Sequence, residues 1–394
     1  MMARTTNFGL QKKLWLAVVL AAGFIALAGY HWANRGRYEA NAELLRHLQT
    51  AVLPAAEDKP LGRPGDWPQW RGPWRDGVSR ETGLLTEWPA DGPMVLWQVP
   101  MQLGYSSMAV ADGRLFTQFQ DGGNEVVVCL DAESGQERWH FSYPCTYKVD
   151  PSYGPCPRST PTVDGNRVYT VGGNGLLHCL EAPTGKLLWK HDLLAEYGAS
   201  LPQWAVASSP LIEGDLLITQ PGGPDGNSIV AFEKHYGNQV WKSHDDPAGY
   251  SSPIAAQLAG QRQLIVFTGK SVVGVSPKTG QVYWRYPWET SHDINAATPI
   301  VRGDYVLISS NYGKGCALLK VSVRGEGKFH VAPVYEHNEL CNHFSSSVLF
   351  GEHVYGFNED MRLVCMEFRT FQYFHQGIQE IWQGNRRVWF INGD

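Results

Sequence analysis

From residue 107 onward the hydrophobic positions come in short runs, rich in Val, Ile and Tyr, each closed by Gly, Pro or an acidic residue. Runs of this kind predict short β-strands joined by tight turns rather than helices. The runs recur in a fixed order. A unit opens on a Ser/Thr-Pro step, followed by an apolar strand, a Gly turn and a second strand, as in Thr160-Pro161 through Gly165 to Tyr169. Ser209-Pro210, Ser252-Pro253 and Thr298-Pro299 open further copies. A third strand ends on an acidic or small residue; a Gly follows four positions later, and a Trp four after that. This phrase is carried by Asp131, Gly135 and Trp139, by Glu181, Gly185 and Trp189, by Glu233, Gly237 and Trp241, and by Ser276, Gly280 and Trp284.

The tryptophans of the phrase are 50, 52 and 43 residues apart, and four strands per unit at such a period predict the blades of a β-propeller. Each Trp is expected to pack between neighbouring blades. Weaker copies extend the ring. Ser107 to Phe116 opens the first blade, and Tyr335 stands in the Trp slot of the fifth. A sixth begins at Ser347, and Gln383 to Trp389 resembles Asp164 to Tyr169 and so starts a seventh. Trp97 occupies a blade-ending position with no blade before it. The fold expected is all-β: a seven-bladed propeller whose last blade is incomplete or closed by the N-terminal strand around Trp97, which would protect both edges.

Ahead of the repeats, Leu14 to Tyr30 is a 17-residue uncharged apolar run preceded by Arg4, Lys12 and Lys13. It reads as a retained transmembrane anchor, with a cleaved signal ending near Ala26-Leu27-Ala28 as the alternative. Either way the propeller is exported: single-pass at the cell membrane on the periplasmic side, or secreted after cleavage. Tyr38 to Leu53 carries Leu44, Leu45, Leu48 and Val52 at helical spacing, and Pro54 to Gly65 reads as a linker. The organisation is then 1–35 anchor or signal, 36–66 juxtamembrane helix and linker, and 67–394 propeller. The segment Trp67-Pro68-Gln69-Trp70-Arg71-Gly72-Pro73-Trp74 is expected to plug or lace the ring with its tryptophans buried; a sugar-stacking or partner-docking role is the other reading.

Composition changes the picture little. The net charge of −5 comes from interspersed charges without a basic stripe, which argues against nucleic acid as a partner. Cys129, Cys179 and Cys365 share one strand slot and read as small buried hydrophobes. In an exported protein a disulfide between Cys145 and Cys156 is expected, with Cys316–Cys341 a second candidate.

The phrase Asp-x-x-Thr-Gly-x-x-x-Trp after a strand ending Cys-Leu-Asp or Cys-Leu-Glu resembles the pyrroloquinoline quinone (PQQ)-type propeller repeat, over about residues 97 to 375. The Trp-Pro-Gln-Trp-Arg-Gly-Pro segment is similar to the start of exported bacterial PQQ-like propeller proteins. The family divides into quinoprotein dehydrogenases and cofactor-free scaffolds such as the propeller lipoprotein of the outer-membrane barrel-assembly machinery. No adjacent cysteine pair, no Cys-x-x-Cys-His haem attachment and no alignable calcium ligands are present, which sets this chain apart from the dehydrogenase branch. No Cys lies near the apolar run to be lipidated.

Residues just before each innermost strand would form the rim of the central channel: Tyr105, Tyr153, Arg158, Trp204, Tyr250, His292, Asp293, Asn295 and His343. Aromatics there can stack a flat or sugar ligand and Arg158 can hold an anion; the competing reading is a set of satisfied turns. His292 and Asp293 are sequence neighbours on an extended segment, so they are not expected to pair. His337, Cys341 and His343 lack a fourth ligand in a metal-site spacing, and no metal site is assigned. The sequence thus reads as an exported, membrane-anchored, non-catalytic binding or scaffold module of the cell envelope with a protein or saccharide partner. The alternative is a PQQ- and Ca²⁺-dependent alcohol or sugar dehydrogenase.

Overall fold

The computed structural model describes residues 61–83, 89, 92–147, 153–370, 372–374, 378–383 and 386–391, with residues 373 onward described by backbone alone. The expectations for Leu14 to Tyr30, for the helix at 38–53 and for most of the linker lie outside these residues. Among the described residues, no helix is long and apolar enough to cross a membrane.

The fold is all-β. Six four-stranded antiparallel sheets follow one another along residues 109–144, 162–192, 211–243, 254–287, 300–337 and 348–374. Each runs up and down with its strands in chain order, the arrangement of a propeller blade. The first two strands of a sheet turn through two residues, at least one of them Gly, as in the pairs Asp164 with Arg167 and Arg302 with Tyr305. Ile378–Gln383 pairs antiparallel with Arg386–Ile391 in a separate two-stranded sheet. One short helix, Leu193–Tyr197, follows the second sheet, capped by the Asp192 side chain on Ala195 N.

The repeated phrase now has a physical content. Its acidic residue caps the turn: Asp131 Oδ1 accepts from Glu133 N and Ser134 N, and the Glu233 carboxylate accepts from His235 N and Tyr236 N. The Gly four residues on has positive φ, +70° to +77° in the four copies. A Cβ there would also lie 2.5–2.7 Å from a Trp ring of the preceding unit: Trp97 on Gly135, Trp139 on Gly185, Trp189 on Gly237 and Trp241 on Gly280. Only Gly meets both demands.

Each of these tryptophans also donates its Nε1–H to the carbonyl just after the acidic residue of the next unit. The acceptors are Ala132 O (3.2 Å), Ala182 O (2.9 Å), Lys234 O (3.3 Å) and Pro277 O (2.8 Å). Tyr335 does the same with its hydroxyl on Phe368 O at 2.9 Å. Trp284 departs from the rule. In the fifth sheet the third strand runs on to Arg324, so no phrase turn faces Trp284, which donates instead to Gln263 Oε1 of its own sheet at 2.7 Å. Trp97 follows the rule, so residues 94–99 stand where the outer strand of a preceding blade would be.

The Ser/Thr-Pro steps link the sheets on their inner side. Ser107 N donates to Thr160 Oγ1, Thr160 N to Ser209 Oγ, Ser209 N to Ser252 Oγ and Thr298 N to Ser346 Oγ, at 2.9–3.2 Å. The following Pro keeps each step extended. Cys129 and Cys179 are fully buried opposite Trp139 and Trp189, whereas Cys365 is only half-buried.

The expected disulfides are not formed, and all seven cysteines are free thiols. Cys156 Sγ faces the carbonyls of Tyr153 and Gly154 at 3.8 Å. Cys145 lies beside the buried Glu125 carboxylate, which, with burial, pushes its thiol pKa up. Cys341 Sγ turns to Asn338 O at 2.9 Å, not to Cys316.

Candidate functional site: an aromatic cup closed by an N-terminal strap

Residues 67–77 reach every sheet. Trp67 bridges Val110 through two backbone hydrogen bonds of 2.8 Å, and Pro68 O accepts from Val163 N. Arg75 donates to Ser209 O, Pro210 O and Pro253 O, Trp70 Nε1 to Thr298 Oγ1 (2.9 Å), and Arg71 to Ser347 O (2.7 Å). These partners lie in, or within two residues before, the first strands of the first to sixth sheets in turn, so the segment is a strap across the starts of all six. Lacing was expected of it. The burial of its tryptophans differs: Trp67 and Trp70 are half-buried, while Trp74 is exposed beneath the Arg80 guanidinium.

Arg75 is the strap's anchor. Its side chain is 4% exposed and its partners are neutral, three backbone carbonyls and Gln69 Oε1. Burial without a carboxylate lowers its pKa from 12.5 to about 9. Arg71 is lowered to about 10 by the same cause, partly offset by Asp76.

Above the strap lies a cavity of about 330 Å³. Trp70 belongs to its lining, and the rest of the wall comes from the loops that precede the first strand of each sheet, with Tyr312 from a turn of the fifth. Of the rim residues expected from sequence, Tyr105, Tyr153, Arg158, Trp204 and Tyr250 line it. The Arg158 guanidinium lies 5.2 Å from the centre of the Tyr105 ring, donates to Cys156 O at 2.6 Å and reaches Gly154 O at 3.5 Å. Tyr250 accepts from Trp204 N at 3.4 Å through its hydroxyl, and burial raises its pKa to about 12.

The other four expected residues do not line the cavity. His292 and Asp293 sit on a 3-10 turn with φ of +60° and +57°, a strained pair for residues with a Cβ. The turn sends them apart: His292 meets the Trp204 ring edge-on at 6.0 Å, and Asp293 pairs with Lys270 at 2.9 Å. Asn295 is fully buried, donating to Thr268 O, Gly269 O and Trp288 O and accepting from Thr290 and Ser310, so it braces the loop. His343 bonds the Tyr312 hydroxyl at 2.8 Å and stacks on Phe344, with burial lowering its pKa.

Two lining aromatics, Tyr312 and Trp70, were outside the expected rim. Tyr312 lies in a turn between the second and third strands of the fifth sheet, a place the repeat pattern does not mark. Phe344 adjoins the expected His343, and Trp70 comes from the strap. No lining residue among those described is acidic. No group of three or more His, Cys, Asp or Glu able to hold a metal ion occurs among the described residues.

Residues 123–370 match the family profile described as outer membrane protein assembly factor BamB. The protein of that name from Burkholderia pseudomallei (strain K96243) is 22% identical over 199 residues, 40% of this chain and 51% of the relative. Polyvinylalcohol dehydrogenase of a Pseudomonas species is 25% identical over 168 residues, 41% of this chain and 23% of the relative. The match thus spans about half the length of the first relative and less of the second. The structure of a europium-containing methanol dehydrogenase is similar with a TM-score of 0.50 at 14% identity, over 71% of this chain and 72% of that one; that likeness is one of fold alone.

Proposed function

This chain belongs to the family of the outer membrane protein assembly factor BamB, and from that premise we propose a binding and scaffold module of the cell envelope whose binding site is the aromatic cup. The single observation that carries the reading is the cup itself: a cavity walled by the loops that lead into the six sheets, with Trp70 of the strap in its lining, and lined by aromatics and one guanidinium that has no carboxylate partner among the described residues. Such a site suits binding: among its described lining residues none is acidic, and the one hydroxyl paired with an imidazole, Tyr312 with His343, has no carboxylate in the lining beside it. In this reading Leu14 to Tyr30 anchors the chain and the ring stands on the exported side. The ring has seven blades, with Ile378–Gln383 and Arg386–Ile391 as the inner hairpin of the last and residues 94–99 as its outer strand. The Trp97 contact with the turn of the first sheet and the antiparallel pairing of the last two strands support this closure.

The dehydrogenase alternative would place PQQ and Ca²⁺ in the cup. The described residues do not fit that pair. Calcium takes several oxygen ligands with carboxylates among them, and no described carboxylate lines the cavity. Asp293, beside the lining residue Ile294, is committed to Lys270. A polycarboxylate quinone would meet one guanidinium.

Calorimetric titration of the full chain with PQQ, with and without Ca²⁺, tests the proposal. Absence of heat from a folded sample is the expected result. Tight, calcium-dependent binding would overturn the scaffold reading. A photo-crosslinker at Phe344 in cells should join the protein to an envelope component, and the Trp204→Ala variant should lose that product.

A further inference from the structure

The chemistry of the cup narrows its occupant, granted the reading of it as a binding site. Its volume of about 330 Å³ is at the small end of ligand pockets, about 300–1,000 Å³. The strap crosses one end, so whatever enters does so by the opposite mouth and leaves by it. A continuous polypeptide would have to fold back inside, which this volume does not allow. A single side chain and a chain end fit.

Part of the hydrogen-bonding capacity of the wall is already used by the fold. Tyr312 hydroxyl is bonded to His343, Tyr250 hydroxyl to Trp204 N and Trp70 Nε1 to Thr298. The hydroxyls of Ser209 and Ser252 accept backbone N–H groups of the neighbouring sheets. A saccharide buried here would leave hydroxyls unpaired, at a cost of about 1–3 kcal/mol each. A flat apolar group loses nothing.

Arg158 adds a charge requirement. Its partners are two carbonyls, the Cys156 thiol and the Tyr105 face, and no carboxylate pairs with it among the described residues. Arg75, a second cation without a carboxylate, lies behind the Ser209 wall. The field in the cup therefore favours an anion and disfavours an ammonium group. Finally, the mouth is wider than the cup in apolar terms. Of the lining residues, Phe344 is 62% exposed and Tyr105 51%, with Tyr312 and Tyr153 also exposed. Exposed apolar surface around a cavity suits a following stretch of polypeptide.

We infer that the cup receives the carboxyl terminus of a partner polypeptide ending in an aromatic or large apolar residue, its side chain among the aromatics and its α-carboxylate on Arg158. The collar at the mouth holds the preceding residues. A free arene carboxylate shares the inner part of this chemistry and lacks the collar contacts.

The test uses the full chain and three probes, followed by calorimetry: N-acetyl-Gly-Gly-Phe, its C-terminal amide, and 3-phenylpropionate. The peptide acid should bind about tenfold more tightly than the amide, since a charge-assisted hydrogen bond is about twice as strong as a neutral one. Arg158→Gln should bring the acid to the level of the amide without changing the amide, in a sample shown to be folded. Phe344→Ser should weaken the peptide acid more than 3-phenylpropionate. Equal binding of acid and amide, or an unchanged preference in Arg158→Gln, would overturn the carboxylate assignment. Equal affinity for 3-phenylpropionate and the peptide acid would overturn the chain-end assignment. If none of the probes binds while the Phe344 crosslink still forms, this inference falls and the scaffold reading stands; loss of the crosslink as well removes both.

Discussion

Mild acid should loosen this fold through one histidine. His178 lies between the first and second sheets, 2% exposed, with its ring 4.4 Å from Tyr143 and edge-on to Phe141 at 5.2 Å. Its Nδ1 meets no hydrogen-bond partner. Burial, with a smaller contribution from Lys190, lowers its pKa from 6.5 to about 4. The sign follows from which state takes the proton first. Between pH 6.5 and 4 the unfolded chain is protonated at this position and the folded one is not, so stability falls as pH falls through that window. The whole interval is worth roughly 3 kcal/mol, and about 2 kcal/mol of it is lost between pH 7 and pH 5. Carboxylates held low in the fold, such as Asp246 among His244, Ser271 and Thr268, act below pH 4 and do not confuse the comparison. His343, also lowered by burial, acts in the same direction in both proteins compared. Urea unfolding followed by tryptophan fluorescence at pH 7 and pH 5 gives the two losses for wild type and His178→Leu. The variant should lose about 2 kcal/mol less than wild type. Equal losses would refute the assignment of a neutral, desolvated imidazole at this position.

Three further outcomes follow from the geometry. Trp139→Ala, which removes a 9%-exposed ring and its bond to Ala182 O, should cost about 3–5 kcal/mol in the same unfolding assay. Gly237→Ala should be clearly worse than Gly226→Ala, because both have positive φ but only at Gly237 does the new Cβ meet a ring, that of Trp189 at 2.7 Å; the shared backbone term is roughly 1–2 kcal/mol, and a similar thermal midpoint for the two variants would count against the Trp–Gly contact. Arg71→Met should leave Ser347 O and Asp76 O without their donor, lowering stability by about 1–3 kcal/mol and raising protease sensitivity within residues 61–77.

Much of the architecture is legible in the chain because each repeat must solve the same local problem. Gly after a capped acidic residue, and Ser or Thr before Pro, are demanded by backbone geometry, so they recur at fixed spacing. What the pattern does not carry is partnership between units. That Trp139 sits on Gly185, one unit ahead, follows from sheet-to-sheet packing, and the exception at Trp284 depends on a third strand that overruns its turn. The site divides in the same way. Tyr105, Trp204 and Tyr250 stand at repeat positions that face the cavity, whereas Asn295 at a similar position is drawn inward by three carbonyls. Tyr312 lies in a turn that is no landmark of the repeat. His292 and Asp293 were read as extended, and the left-handed turn that parts them has no Gly to announce it. The expected Cys145–Cys156 bridge rested on compartment and spacing, and neither reports which way a thiol points.

The strap has a consequence in time. Arg71 leaves the ribosome 276 residues ahead of Ser347, whose carbonyl it will hold. The other bonds from residues 67–75 to the ring likewise wait on segments not yet made, the latest of them at the fifth and sixth sheets. The strap cannot finish docking until the sixth sheet has formed, so the floor of the cup is completed late even though its residues come early. Until then the cavity has two ends, and any occupant that needs a closed base must arrive after the ring is assembled.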